Sequence, residues 1–317
     1  NTTANSNTAV GYNALKENVT GTGNVAMGNQ ALQESTANNN TAFGANALRL
    51  TTSGGSNTAV GTQAMDDNTT GANNTAVGYL ALHSNTTATS NTAVGAYALD
   101  ANTTGANNIA IGVGVLTDNT TGGQNISIGD DSLANNTTAA NNVAVGKSAL
   151  FTNTTGAANT AIGGATLTSN TTANDNTAVG YSALEDNTTG TGNVAVGHDA
   201  LEKNTTASYN TAVGLQSLHA NTTGASNVAV GTNALEINTT GGFCVAVGMG
   251  ACEQNTEGNH NVGIGFEALE ENTSADNNVA VGLYALTANT TGTPNIAVGA
   301  YCSDALTTGG GNTCVGY

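Results

Sequence analysis

A fixed period of 17 residues runs through this chain and constrains its fold more than any other feature. The pattern Asn-x-Ala-x-Gly, or a near variant, begins at Asn7, Asn24, Asn40, Asn57, Asn74, Asn91, Asn108, Asn125, Asn142, Asn159, Asn176, Asn193, Asn210, Asn227, Cys244, Asn261, Asn278, Asn295 and Asn312. Each start lies 17 residues after the last, apart from the 16-residue step from Asn24 to Asn40. A period of this length, held throughout, predicts a stack in which each unit is one coil resting on its neighbours. The predicted fold is all-β, a parallel β-solenoid of 17-residue coils running as one repeat array over residues 1–317.

Numbering each unit from its first Asn gives every position a physical reading. Position 5 is glycine in all 19 starts, from Gly11 to Gly316, which calls for φ > 0 or for another backbone pressed against it. Position 2 is Thr, Val or Ile, and position 4 is apolar, as in Val10, Met27, Phe43 and Ile111. Two such residues flanking one intervening position predict a short strand with that face in the core. Position 3, on the opposite face, is Ala nearly everywhere, and predicts close approach by another surface. Position 9 is mostly Leu after an Ala at position 8, which reads as a second strand. Positions 10 and 11 carry much of the charge, as in Lys16-Glu17, Asp66-Asp67 and Glu270-Glu271, and mark an edge facing water. Positions 12–15 read mostly Asn-Thr-Thr-Gly or Asn-Thr-Thr-Ala, which is turn chemistry. The short unit at Asn24 and the Thr51–Gly55 turn of the next read as an irregularity of that turn edge.

Composition matters here for what it withholds. With no Trp, one Pro and 4% aromatic residues there is no stock of large side chains for a globular core. The coil must lean on its hydrogen-bond ladder, on stacking of like residues and on a partner chain. The net charge of −17, with Lys16, Arg49, Lys147 and Lys203 as the whole basic complement, disfavours nucleic acid. No apolar run reaches the roughly 18 residues of a membrane helix, and no signal-peptide pattern is present. The sequence opens at position 12 of a unit and stops one residue past a glycine corner, which suggests an interior segment of a longer chain.

The position-1 Asn column predicts an amide ladder about 4.8 Å per rung. The position-12 column forms Asn-x-Ser/Thr sequons at Asn1, Asn18, Asn68, Asn85, Asn102, Asn119, Asn136, Asn153, Asn170, Asn187, Asn204, Asn221, Asn238, Asn272 and Asn289. These are candidate N-glycosylation sites, and a second ladder capping the turn explains the same column. Cys244, Cys252, Cys302 and Cys314 permit Cys244–Cys252 and Cys302–Cys314 bridges in an oxidising compartment, or fill small apolar slots. Adjacent threonines at positions 13 and 14 raise an ice-binding reading, with one of each pair facing outward. His83, His198, His219 and His260 and the pairs Asp66-Asp67 and Asp130-Asp131 converge on no recognisable catalytic set, so the chain reads as no enzyme, with no cofactor and no metal.

The motif Asn57–Gly61, Asn-Thr-Ala-Val-Gly, followed by Ala-Leu as at Ala81-Leu82, resembles the YadA-like or Hep/Hag head repeats of trimeric autotransporter adhesins, and related tail-fibre repeat proteins of phage and bacteria. The resemblance covers the whole chain and implies a left-handed β-roll, three chains about one axis, exported to the cell surface or a virion fibre and used for attachment. The unit departs from that family in length, 17 residues where the adhesin heads have about 14. The expected function is a structural shaft or head of an extracellular fibre, with itself as partner and its surface receptor unnamed; the alternative is an end-to-end filament subunit, glycosylated along the sequon column.

Overall fold

The computed structural model describes residues 3–317, so the sequon at Asn1 lies outside the described residues. The chain divides into two compact units, one ending at Ala158 and one spanning Asn159–Tyr317. In the first, nine short strands run from β1 (Thr8–Val10) to β9 (Val143–Val145). In the second, ten run from β10 (Thr160–Ile162) to β19 (Asn312–Val315). Each unit is a parallel β-solenoid, with one strand per coil and every strand paired in parallel with those of adjacent coils. Register is strict: Thr58, Ala59 and Val60 lie opposite Thr75, Ala76 and Val77 in the next coil, so like stacks on like. The described residues contain no helix.

The two faces of the strand are reversed from the sequence expectation. Position 3 points inward, and Ala59, Ala76 and Ala178 are fully buried. Positions 2 and 4 point outward, with Val77 36% and Ile162 41% exposed. A coil of 17 residues encloses little volume. Two alanine methyls, at positions 3 and 8, and one leucine, at position 9, fill it to contact density, leaving no room for a branched side chain at positions 2 and 4. Ala59 lies in its own coil's core, closed to another chain, whereas Ala9 is exposed in the first coil.

The second strand expected at positions 8 and 9 is absent. That stretch is a turn whose leucine sits in the left-handed region, as at Leu82 (φ 54) and Leu99 (φ 54). Positions 7 and 17 adopt the same conformation, at Leu80 (φ 56) and Ser90 (φ 61) in the coil that starts at Asn74. Three left-handed residues and a glycine corner bend the chain closed within a single turn of the solenoid. The turn main chain still bonds from coil to coil: Leu82 N–H donates to Ala98 O at 2.9 Å and Thr69 N–H to Thr86 O at 2.9 Å. These rungs replace the missing second ladder.

The one-residue deletion is absorbed at position 14. In that coil Asn24 donates its amide to Ala37 O at 2.8 Å, the bond that Asn57 makes to Gly71 O at 2.8 Å in a full-length coil. Ala37 thus occupies position 15, and the exposed turn alone is shorter.

Candidate interaction surface

Both asparagine columns are internal. At position 1 the ladder differs in detail from amide-to-amide stacking. Asn57 Oδ1 accepts the main-chain N–H of Asn74 at 2.9 Å, while its Nδ2 donates across the coil to Gly71 O. At position 12 the amides do bond to one another: Asn119 Nδ2 donates to Asn102 Oδ1 at 2.9 Å and Asn136 Nδ2 to Asn119 Oδ1 at 2.8 Å. Each also closes its own turn, as Asn119 Nδ2 does on Gly122 O at 2.9 Å.

The sequon asparagines Asn18, Asn68, Asn85, Asn102, Asn119, Asn136, Asn153, Asn170, Asn187, Asn204, Asn221, Asn238, Asn272 and Asn289 are all buried. Their amide nitrogens face the interior, so the folded coil presents the ladder and not a row of acceptor side chains. Sequon spacing alone carries no sign of this, because the inward turn of position 12 is set by the coil's curvature.

Of each threonine pair, position 13 bonds within the stack, as Thr86 Oγ1 does to Thr103 O at 3.1 Å, and position 14 is exposed. The outward threonine is thus a single column.

Cys302 and Cys314 are bridged, with Cα atoms 6.1 Å apart. They occupy positions 8 and 3 of neighbouring coils, where alanines otherwise meet across the core. Cys244 and Cys252 are free and buried. Burial pushes the Cys244 thiol up to about 11, and raises Cys252 further. Both fill core slots as small apolar groups; the Cys244 thiol lies 3.3 Å from Gly258 O.

Position 10 stacks titratable side chains one coil apart. Asp66, Asp67 and His83 come together, as do Asp199, Glu202 and His219, each set with candidate ligand atoms within 4.8 Å of one another. The sequence signal for these groupings is the 17-residue spacing between Asp66 and His83 and between Glu202 and His219. Asp66 and Glu202 are already engaged. Arg49 Nε donates to Asp66 Oδ1 at 2.8 Å, and Asp66 is only 3% exposed. Glu202 accepts from His219 Nε2 at 3.0 Å and pairs with Lys203, which also reaches Asp186 at 3.3 Å. Burial opposes ionisation of Glu202, yet the hydrogen bonds from Lys203 and His219 outweigh it and lower its pKa. Further along the same column Glu253 and Glu270 have no such partner; burial, then neighbouring carboxylates, raise both.

The strands present an outward face along each unit. Positions 2 and 4 carry only Thr, Val, Ile, Met and Phe from Thr8 to Val315, with no charge in either column. Within each unit this makes a regular array of methyl groups, with Ile111, Ile128, Ile162 and Ile264 among its exposed members. Contiguous exposed apolar area of this kind marks an interaction site more often than a bare surface. No helix among the described residues is long and apolar enough to cross a membrane. Comparison with known proteins finds no family model that matches this chain and no curated protein that matches it.

Proposed function

We propose that this chain is a structural repeat segment of an extracellular fibre, serving as spacer and attachment surface, and that copies associate through the outer strand face. The observation that carries this reading is the charge-free array at positions 2 and 4. On a chain of net charge −17, whose charges lie at positions 6, 7, 10, 11, 14, 16 and 17, these two outward apolar columns carry none. Their burial between copies would recover hydrophobic free energy at about 25 cal/mol per Å². The resemblance to trimeric adhesin head repeats favours three chains per assembly. In this reading the interchain contact is formed by the branched residues, and the alanines stay within each coil.

Light scattering of the purified protein at micromolar concentration tests the proposal. A discrete mass of three chains supports it, and a Val196→Lys/Val230→Lys variant is then expected to run as a single chain with its melting temperature nearly unchanged, since both side chains point outward. A single-chain mass for the unaltered protein would sink the proposal. Growth into an open polymer would replace it by the filament alternative.

A further inference from the structure

In the second unit the last coils depart from the rest of the surface. Phe266, Tyr284, Tyr301 and Tyr317 climb one ring per coil, with centroids 5.3, 5.4 and 5.8 Å apart. Tyr284 and Tyr301 stack with their planes 27° apart. Both are carried at position 7, whose left-handed backbone (φ 53 and 55) stands their side chains beside the position-10 column. Between the two columns is an open cavity of about 230 Å³ lined by Tyr284, Thr287, Tyr301 and Asp304. Thr287 donates its hydroxyl to Glu267 O at 3.3 Å, fixing the cavity wall on the coil beneath.

The electrostatic surroundings are one-sided. From residue 204 to 317 the sequence has eight carboxylates and neither Lys nor Arg. Glu267, Glu270 and Glu253 crowd one another on the coils leading to the cavity, and Glu267 also raises the Tyr284 phenol after desolvation. Ring faces attract cations through their quadrupole, and arginine's planar group stacks on them while its N–H edge pairs with a carboxylate. Nothing within this part of the chain supplies such a group.

We propose that the cleft between Tyr284, Tyr301, Thr287 and Asp304 is a binding site for a guanidinium group, as carried by an arginine side chain. The parts of the Tyr284 and Tyr301 rings left open beside their mutual stack would provide the aromatic wall and Asp304 the pairing carboxylate. This inference is independent of how copies of the chain associate.

Titration of the intact protein with L-argininamide at low salt, followed by NMR, tests it, with the neutral isostere L-citrullinamide as comparison. Saturable binding is expected for argininamide alone. Tyr301→Leu and Asp304→Asn should each weaken it about fivefold, while Tyr12→Leu, an exposed tyrosine outside the cleft, should leave it unchanged. Both cleft residues are exposed, so these variants are expected to keep the fold, which amide spectra check directly. Equal binding of citrullinamide, an undiminished response in the Tyr301→Leu/Asp304→Asn double variant, or equal loss in Tyr12→Leu would overturn the proposal. So would displacement by potassium at concentrations equal to those of argininamide, which would reveal unspecific charge attraction.

Discussion

Glycine at position 5 answers two demands at once. Gly78 has φ +143, a region that side chains rarely enter, and a Cβ there would stand 2.4 Å from Gly95 O in the next coil. Neither demand relaxes without moving a neighbouring backbone. Gly78→Ala is therefore expected to cost about 3 kcal/mol or more, read as a fall in thermal midpoint. The core offers a subtler test at Ser127 and Ser132, which replace the alanines of positions 3 and 8 within one coil. Their hydroxyls lie 2.6 Å apart, fully buried. Ser127→Ala alone strands a buried hydroxyl and should cost about 1–3 kcal/mol, whereas Ser127→Ala/Ser132→Ala should be close to neutral. Denaturant unfolding of the two single variants and the double variant measures the coupling; additive losses would contradict the pairing.

At the scale of the coil, the position-10 column makes stability depend on pH. The folded pKa values of Glu253 and Glu270 are raised from 4.5, chiefly by burial, then by Glu236 and Glu267 for Glu253 and by Glu267, Glu253 and Glu271 for Glu270. Gln254, beside Glu253, offsets this only in part. Between the ordinary value and the raised one, the folded chain binds more protons than the unfolded chain, so stability rises as pH falls through that window. Asp100, raised by burial in the first unit, acts in the same sense. Glu202 acts oppositely, because its lowered pKa contributes stability that is lost as acid protonates it below 4.5. The melting temperature is thus expected to climb as pH is lowered through the raised values toward 4.5. Glu253→Gln/Glu270→Gln should raise it at pH 7 and flatten the dependence. A midpoint that falls over the same range would refute the assignment.

The coil also shows what could be read from the sequence. Period, parallel stacking, the glycine corner and the turn were legible because each leaves a mark at a fixed position. The direction of the strand faces was not, since Thr-Ala-Val alternates equally well with either face inward. What decides it is the volume a closed coil can hold, a property of all 17 residues together. The leucine turn was hidden for a related reason: Leu has no preference for the left-handed region, and is held there by its burial and by the rungs on either side. At the candidate surfaces, Tyr284 and Tyr301 came together through the same one-coil spacing that joins Asp66 to His83.

For the whole molecule, the interchangeability of coils makes length a separable property. Removing residues 91–107, one complete coil, brings Asn74 against Asn108 with every type of rung preserved. Its thermal midpoint is expected to stay within a few degrees of the parent. Deleting Ala93 alone should unfold the surrounding coils, because a one-residue slip turns the strand inside out. Deleting Thr104 should be mild, since its coil then matches the natural 16-residue unit, which is shortened at this same position. Calorimetry on the three deletions ranks them; equal losses would argue against a stack of independent rungs.

The amide ladders add a direction to this stack. In both columns the donor belongs to the later coil and the acceptor to the earlier one: Asn74 N–H reaches back to Asn57, and Asn136 Nδ2 back to Asn119. In these two columns a completed coil therefore displays side-chain carbonyl oxygens on the side where the next segment arrives, while turn rungs such as Leu82 N–H to Ala98 O run the other way. A chain emerging from the ribosome with its N-terminus first meets its own finished coil as a mould, and each new turn can set against it without waiting for sequence still to come.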